Sequence, residues 1–269
     1  MRFPLPGKNA LAGASLLLAA GCASTHPGTA TEAHDPLEPM NRAVFEFNRV
    51  TDRVILKPLS SVYITVVPEA PRQGVSNVMR NLREPWVFIN DLLQFKLDRA
   101  GATLGRFIIN STVGVAGLFK VSDEVGIPYH SEDFGQTLAT WGIGDGPYLV
   151  LPLLGPSNGR DAFGFAANVY ADPVSLTLEE IDDSKKFFDL SMTRTAIEAF
   201  DARVRLHTTL DELYKEDDPY VVARSVYWQR RRFEIYDGNP PEPEEDIFDM
   251  LEEEQAAIDA EEAQPENKQ

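Results

Sequence analysis

A chain of 269 residues with a single cysteine, Cys22, has no internal disulfide available, so its fold rests on burial, hydrogen bonds and ion pairs alone. The position of that cysteine is equally restrictive. Arg2 and Lys8 are followed by an uncharged, mostly apolar run from Asn9 to Ala20, then Gly21 and Cys22, the three-part layout of a secretory signal. The run is shorter than the roughly 20 apolar residues that a membrane span requires.

Leu18-Ala19-Ala20-Gly21-Cys22 resembles a bacterial lipobox, in which small residues admit the signal peptidase and the thiol receives a diacylglycerol; Ala19 stands where leucine is commoner. Residues 1–21 are thus expected to be a lipoprotein signal peptide and Cys22 the lipid attachment point. Residues 22–34, with Ser, Thr, Gly and Ala prominent, are expected to form a flexible tether. Each buried methylene of an acyl chain contributes about 0.8 kcal/mol, so a multiply acylated cysteine anchors a protein without a transmembrane helix.

The formal charge of −17 is concentrated at the other end. From Pro240 onward there are twelve acids and one base, Lys268, which leaves about −6 for the rest of the chain. Residues 240–269 cannot bury enough apolar surface to offset the entropy of ordering and read as a disordered acidic tail. No basic face suited to nucleic acid is apparent. Residues 35–239 are long enough for one sizeable domain.

Within that domain the pattern is mainly α, with irregular Gly/Pro connections. A helix is expected from Asp35, with Pro36 in its first turn, up to Lys57-Pro58, and Val62 to Val67 is read as helical in preference to a strand. Residues 72–83 are amphipathic, and Pro85 is expected to break the line before Trp86. The stretch through Trp86, Phe88, Leu92 and Phe95 is apolar over most of its circumference, as in a helix that is deeply buried or lies in lipid. Pro147 to Pro156 can be neither a central strand nor an unbroken helix. Short helices are expected from Asp161 to Tyr170 and from Asp172 to Ile181, a long one from Ser184 to Lys215, and a last one capped by Asp218-Pro219.

Chemistry is sparse. Gly155-Pro156-Ser157-Asn158-Gly159 matches G-x-S-x-G, and His207 lies downstream with Asp183, Asp189 and Asp201. The alternating strands and helices of an α/β-hydrolase are missing, however, and the loop reading of Ser157 prevails over a lipolytic serine enzyme. His26, His34, His130 and His207 are scattered, with no pair at a metal-ligand spacing. The glycines of Gly142-Ile143-Gly144-Asp145-Gly146 fall short of a dinucleotide fingerprint, so neither metal nor cofactor is expected. Charged and polar residues set in greasy segments stand out instead: Glu84, Asp91, Arg106, Asn110, Asp133, Arg160 and Asp161 are expected to be paired or to line a polar cavity.

These residues belong to a longer series of matches. Asp35-Pro36-Leu37-Glu38 with Asn41-Arg42, Asn81-Leu82-Arg83-Glu84-Pro85, Arg106 to Gly114, Asp133 to Leu138, Trp141 to Tyr148, Leu151 to Ser157 and Asp218-Pro219-Tyr220 together resemble the MlaA/VacJ lipoprotein family of the Gram-negative outer membrane. Pro39-Met40 and Lys120 depart from the family pattern. The resemblance implies a ring-like helical domain with an amphipathic channel, lying in the inner leaflet of the outer membrane. It implies no enzymatic activity: phospholipids misplaced in the outer leaflet would descend through the channel to a soluble periplasmic carrier. Association with trimeric porins is also implied, and a non-transporting porin adaptor is the remaining alternative. On this reading the watched charges are polar-lining residues, and Trp86, Phe88, Leu92, Phe95, Tyr148, Leu151 and Leu154 supply a lipid-facing belt. Ala23, in place of the aspartate that retains lipoproteins at the inner membrane, agrees with an outer-membrane destination.

Replacing Cys22 with serine removes the thiol that takes the lipid. The variant is expected in the soluble fraction of lysed cells, with wild type in the membranes; equal membrane recovery would remove the anchor from Cys22.

Overall fold

The computed structural model describes residues 35–171 and 184–241. The lipobox, the tether, the helix expected over Asp172–Ile181 and nearly all of the acidic tail lie outside the described residues. What is described is helical but for one small hairpin.

Helix α1 (Glu38–Thr51) starts after a turn in which the Asp35 carboxylate accepts from Leu37 N and Asn41 Nδ2, both at 3.0 Å. Pro39 sits in its first turn, where a missing N–H costs nothing. The expected stop at Lys57-Pro58 does not occur. A π-helical turn (Asp52–Leu56) passes directly into α2 (Lys57–Val66), and Pro58 falls in the first turn of that new segment.

Helix α3 (Glu69–Leu93) corrects the second expectation, because it runs unbroken through Pro85. An interior proline costs roughly 3 kcal/mol. Here the neighbouring helix α4 (Leu97–Thr112) lies alongside and holds both sides of the proline: before it Asn81 Nδ2 donates to Ser111 Oγ (2.9 Å) and Arg106 Nε to Glu84 Oε1 (3.1 Å), and after it Thr103 Oγ1 donates to Asp91 Oδ2 (2.6 Å). The reversal between α3 and α4 passes through Phe95, at φ 59°.

After a short helix α5 (Val121–Glu124), Asp133 caps α6 (Phe134–Thr140) by accepting from Gln136 N at 2.9 Å. Strands β1 (Tyr148–Leu151) and β2 (Gly155–Asn158) form an antiparallel hairpin, Val150 opposite Pro156. A two-stranded sheet consists only of edges, so proline is tolerated there. Helix α7 (Gly159–Ala171) follows β2 without a break. The single helix expected over Ser184–Lys215 is two, α8 (Ser184–Arg205) and α9 (His207–Leu213), divided where Arg203 Nη1 meets the ring Nδ1 of His207 at 3.1 Å. Helix α10 (Pro219–Ile235) begins as expected, with Asp218 accepting from Val221 N.

The apolar core is small. Phe45, Tyr148, Val150, Tyr220 and Ala223 join α1, the hairpin and α10, with edge-to-face ring contacts from Tyr220 to Phe45 and Tyr148. Close backbone approach replaces side-chain packing between α6 and α7, where a Cβ on Gly164 would lie 2.6 Å from Gly135 N. Gly101 in α4, by contrast, faces open space. Gly164→Ala is therefore expected to destabilise by about 1–3 kcal/mol through overpacking. Gly101→Ala should stabilise by up to about 1 kcal/mol through helix propensity. Chemical unfolding of the two variants in detergent checks the opposite signs.

Candidate functional site

Among the described residues, buried polar and charged side chains outnumber buried apolar ones. Large apolar side chains meanwhile lie outside, including Phe47, Val54, Leu59, Val62 and Val66 on α1, the π turn and α2. This inverts the distribution of a soluble domain. The buried polar groups are joined in clusters, because an unpaired charge away from water is far more costly than a paired one.

The first cluster lies between α3 and α4. Arg106, 1% exposed, binds Glu84, 2% exposed, through two bonds, Nε to Oε1 at 3.1 Å and Nη2 to Oε2 at 2.5 Å. Burial pushes the Glu84 carboxyl upward, against the lowering pull of Arg106. Arg106 Nη1 also donates to Pro128 O (2.8 Å) and to His130 Nδ1 (3.0 Å). That bond assigns the ring proton to Nε2, which faces Asp91 Oδ2 at 3.1 Å. Thr103 Oγ1 donates to the same Asp91 oxygen at 2.6 Å, and Asn110 holds Ser122 through both ends of its amide.

A second cluster ties three elements together. Arg231 of α10 donates to both oxygens of Asp133, at 2.6 and 2.7 Å, and to Asp161 Oδ1 at 2.8 Å. Tyr227 OH and Asn158 Nδ2 donate to Asp161 Oδ2, at 2.6 and 3.2 Å. Arg160 reaches Asp145 at 2.7 Å. Burial would raise the Asp133 carboxyl, but the Arg231 bonds and charge, with the Gln136 N–H, hold it down at about 2. Burial beside Asp161 pushes the Tyr227 hydroxyl far up. A third cluster joins Asp52 of the π turn to Arg203 of α8 at 2.5 Å, and Arg203 to Asp211 at 3.3 Å.

Among the described residues no group of His, Cys, Asp or Glu is placed to hold a metal ion, and no helix is long and apolar enough to cross a membrane.

A family model described as MlaA lipoprotein matches residues 33–234. The chain belongs to the MlaA lipoprotein family. It is 32% identical over 238 residues to the intermembrane phospholipid transport system lipoprotein MlaA of Escherichia coli, covering 87% of this chain and 89% of that one. It is 28% identical over 243 residues to the Haemophilus influenzae protein of the same name, covering 88% and 94%. An uncharacterised Rickettsia felis protein is 35% identical over 205 residues, covering 76% and 79%. A solved structure concerned with the maintenance of bacterial outer membrane lipid asymmetry superimposes with a TM-score of 0.64 at 32% identity, covering 75% of this chain and 98% of that one.

The seven polar residues singled out from the sequence of this MlaA-family chain therefore fall into two places: Glu84, Asp91, Arg106 and Asn110 in the first cluster, Asp133, Arg160 and Asp161 in the second. Their partners Arg231 and His130, and the Asp52–Arg203 pair, escape a reading along the chain, since each is joined to residues far away in sequence. The belt residues divide. Phe95, 86% exposed, Leu92 and Leu154 are outside, and Phe88 and Leu151 are half-buried. Trp86 and Tyr148 are corrections, because both point inward, Trp86 against Phe134 and Tyr148 into the apolar core. Ser157 lies on β2 with its hydroxyl turned to Asn158 O at 3.4 Å, whereas His207 is occupied by Arg203 and Ser60. The two do not form a nucleophile and base.

Arg231→Leu would take the cation from the half-exposed Asp133 and leave Asp161 with Arg160 alone, and is expected to cost about 1–3 kcal/mol in an unfolding titration. The pH dependence has a definite sign. With Asp133 held near 2, below its ordinary 3.8, its stabilisation is complete above the ordinary value and lost as pH falls toward 2. Asp133→Asn should flatten that limb of the unfolding midpoint against pH.

Proposed function

We propose that this chain is a non-enzymatic outer-membrane lipoprotein, anchored through Cys22, that clears phospholipids misplaced in the outer leaflet and passes them to a soluble periplasmic carrier. The observation that carries the reading is the inverted polarity: paired charges within, unpartnered apolar side chains without. A molecule with a polar head and apolar tails needs both surfaces on its route, and charges already paired let a head group pass without being trapped. Glu84, Asp91, Arg106, Asn110, Asp133, Arg160 and Asp161 are the proposed polar lining of an amphipathic channel. A groove of ≈ 490 Å³ between α2 and α8, lined by Pro58, Leu59, Val62, Tyr63, Val66 and Phe200, offers an apolar counterpart. The names of the Escherichia coli and Haemophilus influenzae relatives and the theme of the matched structure support phospholipid transport and lipid asymmetry as the setting. Trimeric porins are the proposed neighbours in the membrane.

The test is the outer-leaflet phospholipid content of cells lacking this chain, compared with cells carrying wild type or Ser157→Ala. Accumulation on deletion, corrected by both versions, is expected. No accumulation would favour a porin adaptor, and failure of Ser157→Ala alone would restore serine chemistry.

A further inference from the structure

A second cleft lies where the connection from α4 to α5 folds back on α3. Arg80, Lys120, Asn77, Asn81, Asp123 and Tyr129 line it, beside the Glu84–Arg106 pair. Its enclosed part, ≈ 20 Å³, holds one water-sized group, and the space reaches ≈ 290 Å³ with its open mouth included.

The cations of this cleft are poorly matched by its acids. Glu84 is consumed by Arg106. Arg80 has no carboxylate at ion-pair distance among the described residues; its guanidinium stacks over Tyr129, 5.3 Å from the ring centre. Lys120 has only Asp123, at 3.9 Å and with both side chains well exposed, a pairing that screening makes nearly worthless. An unpaired guanidinium and a weakly paired ammonium lining one cleft are groups suited to phosphate oxygens.

Asn81 supplies the independent sign. It is 6% exposed, yet its Oδ1 has no hydrogen-bond partner, while Nδ2 donates to Ser111 Oγ. The two ends of an amide are interchangeable in shape. With the amide turned, Ser111 Oγ would donate to Oδ1 and Nδ2 would become a donor for a phosphate oxygen. Gly117 lies so close that a Cβ there would be 2.5 Å from Asn81 Cβ, which fixes the distance between connection and helix.

The connection is also the reason to look to a lipid. Val115 and Ala116 are held at φ 53° and 55°, a conformation that is unfavourable for a β-branched residue. Val113, Val115 and Phe119 of the same connection, which brings Gly117 and Lys120 to the cleft, are exposed. A polar recess that opens on a connection carrying bare apolar side chains has the polarity of an amphiphile.

We propose that this cleft binds a phosphate group, held by Arg80, Lys120 and the turned Asn81 amide, and that the phosphate is that of a phospholipid head group. The lipid as source rests on the proposed function; the phosphate site does not.

The test uses the full-length, lipidated protein in an uncharged maltoside detergent, titrated calorimetrically with dihexanoyl-phosphatidylglycerol, with inorganic phosphate and with dihexanoylglycerol. Wild type is expected to bind the phosphatidylglycerol, with phosphate competing and the uncharged lipid inert. The double variant Arg80→Gln/Lys120→Gln should weaken both phosphate-bearing probes by about tenfold or more, and Arg80→Lys/Lys120→Arg should restore most of the binding. Unchanged binding of both probes by a folded double variant would overturn the site. Loss of inorganic phosphate binding with phosphatidylglycerol binding intact would overturn the lipid as its ligand. If deletion of the chain leaves outer-leaflet phospholipid unchanged, the transport reading fails, yet loss of phosphate binding in the double variant would still support the cleft.

Discussion

Arg231 lies between two carboxylates, and the surrounding architecture follows from keeping it there. Asp133 is the cap of α6, Asp161 begins α7, and Arg231 is near the end of α10, so one guanidinium joins three helices that are distant in the chain. The glycines of α6 and α7 follow from the same constraint. A Cβ on Gly135 would stand 2.5 Å from Asp161 Oδ1 and 2.6 Å from Arg231 Nη2, and Gly164 must in turn admit the backbone of Gly135. Only two helices without side chains at their crossing bring the carboxylates close enough to share the cation.

A fold whose interior is this polar has an unusual balance of forces. Buried ion pairs barely recover the cost of taking charge out of water, so they specify an arrangement more than they stabilise it. Each element is nevertheless fixed by a directional partner at a definite position. Apolar side chains that would normally fill the space between helices are outside, where an acyl environment in place of water would remove the penalty of exposing them. The small aromatic core at α1, the hairpin and α10 is the exception, and there Tyr220 also reaches the Asp35 carboxylate with its hydroxyl.

Helical class, the start of α10 and the broken run around Pro147–Pro156 were legible because each depends on local signals: apolar spacing, caps and proline. Pro85 misleads because the local cost of a proline is real, yet the hydrogen bonds of α4 to Asn81 and Glu84, residues on the same helix, outweigh it. Trp86 and Tyr148 mislead differently. In a stretch greasy on most sides, sequence cannot say which face meets lipid and which meets the few apolar partners inside. The charges could be picked out because they interrupt apolar runs, but not their pairing. Asp133 and Arg231 are 98 residues apart, and nothing local in the run Arg230-Arg231-Arg232 distinguishes the buried arginine from its neighbours.

The π turn at Asp52–Leu56 carries a consequence for how faces are assigned along the first half of the chain. A regular helix advances about 100° per residue, and a π turn inserts an extra residue into that count. The direction in which α2 presents Leu59, Val62 and Val66 is thus set by the turn as much as by their spacing. Asp52, locked to Arg203 inside that turn, works as a phase marker. It fixes the rotational register of the helix that follows, so a one-residue deletion there would re-aim an entire apolar face while changing none of its residues.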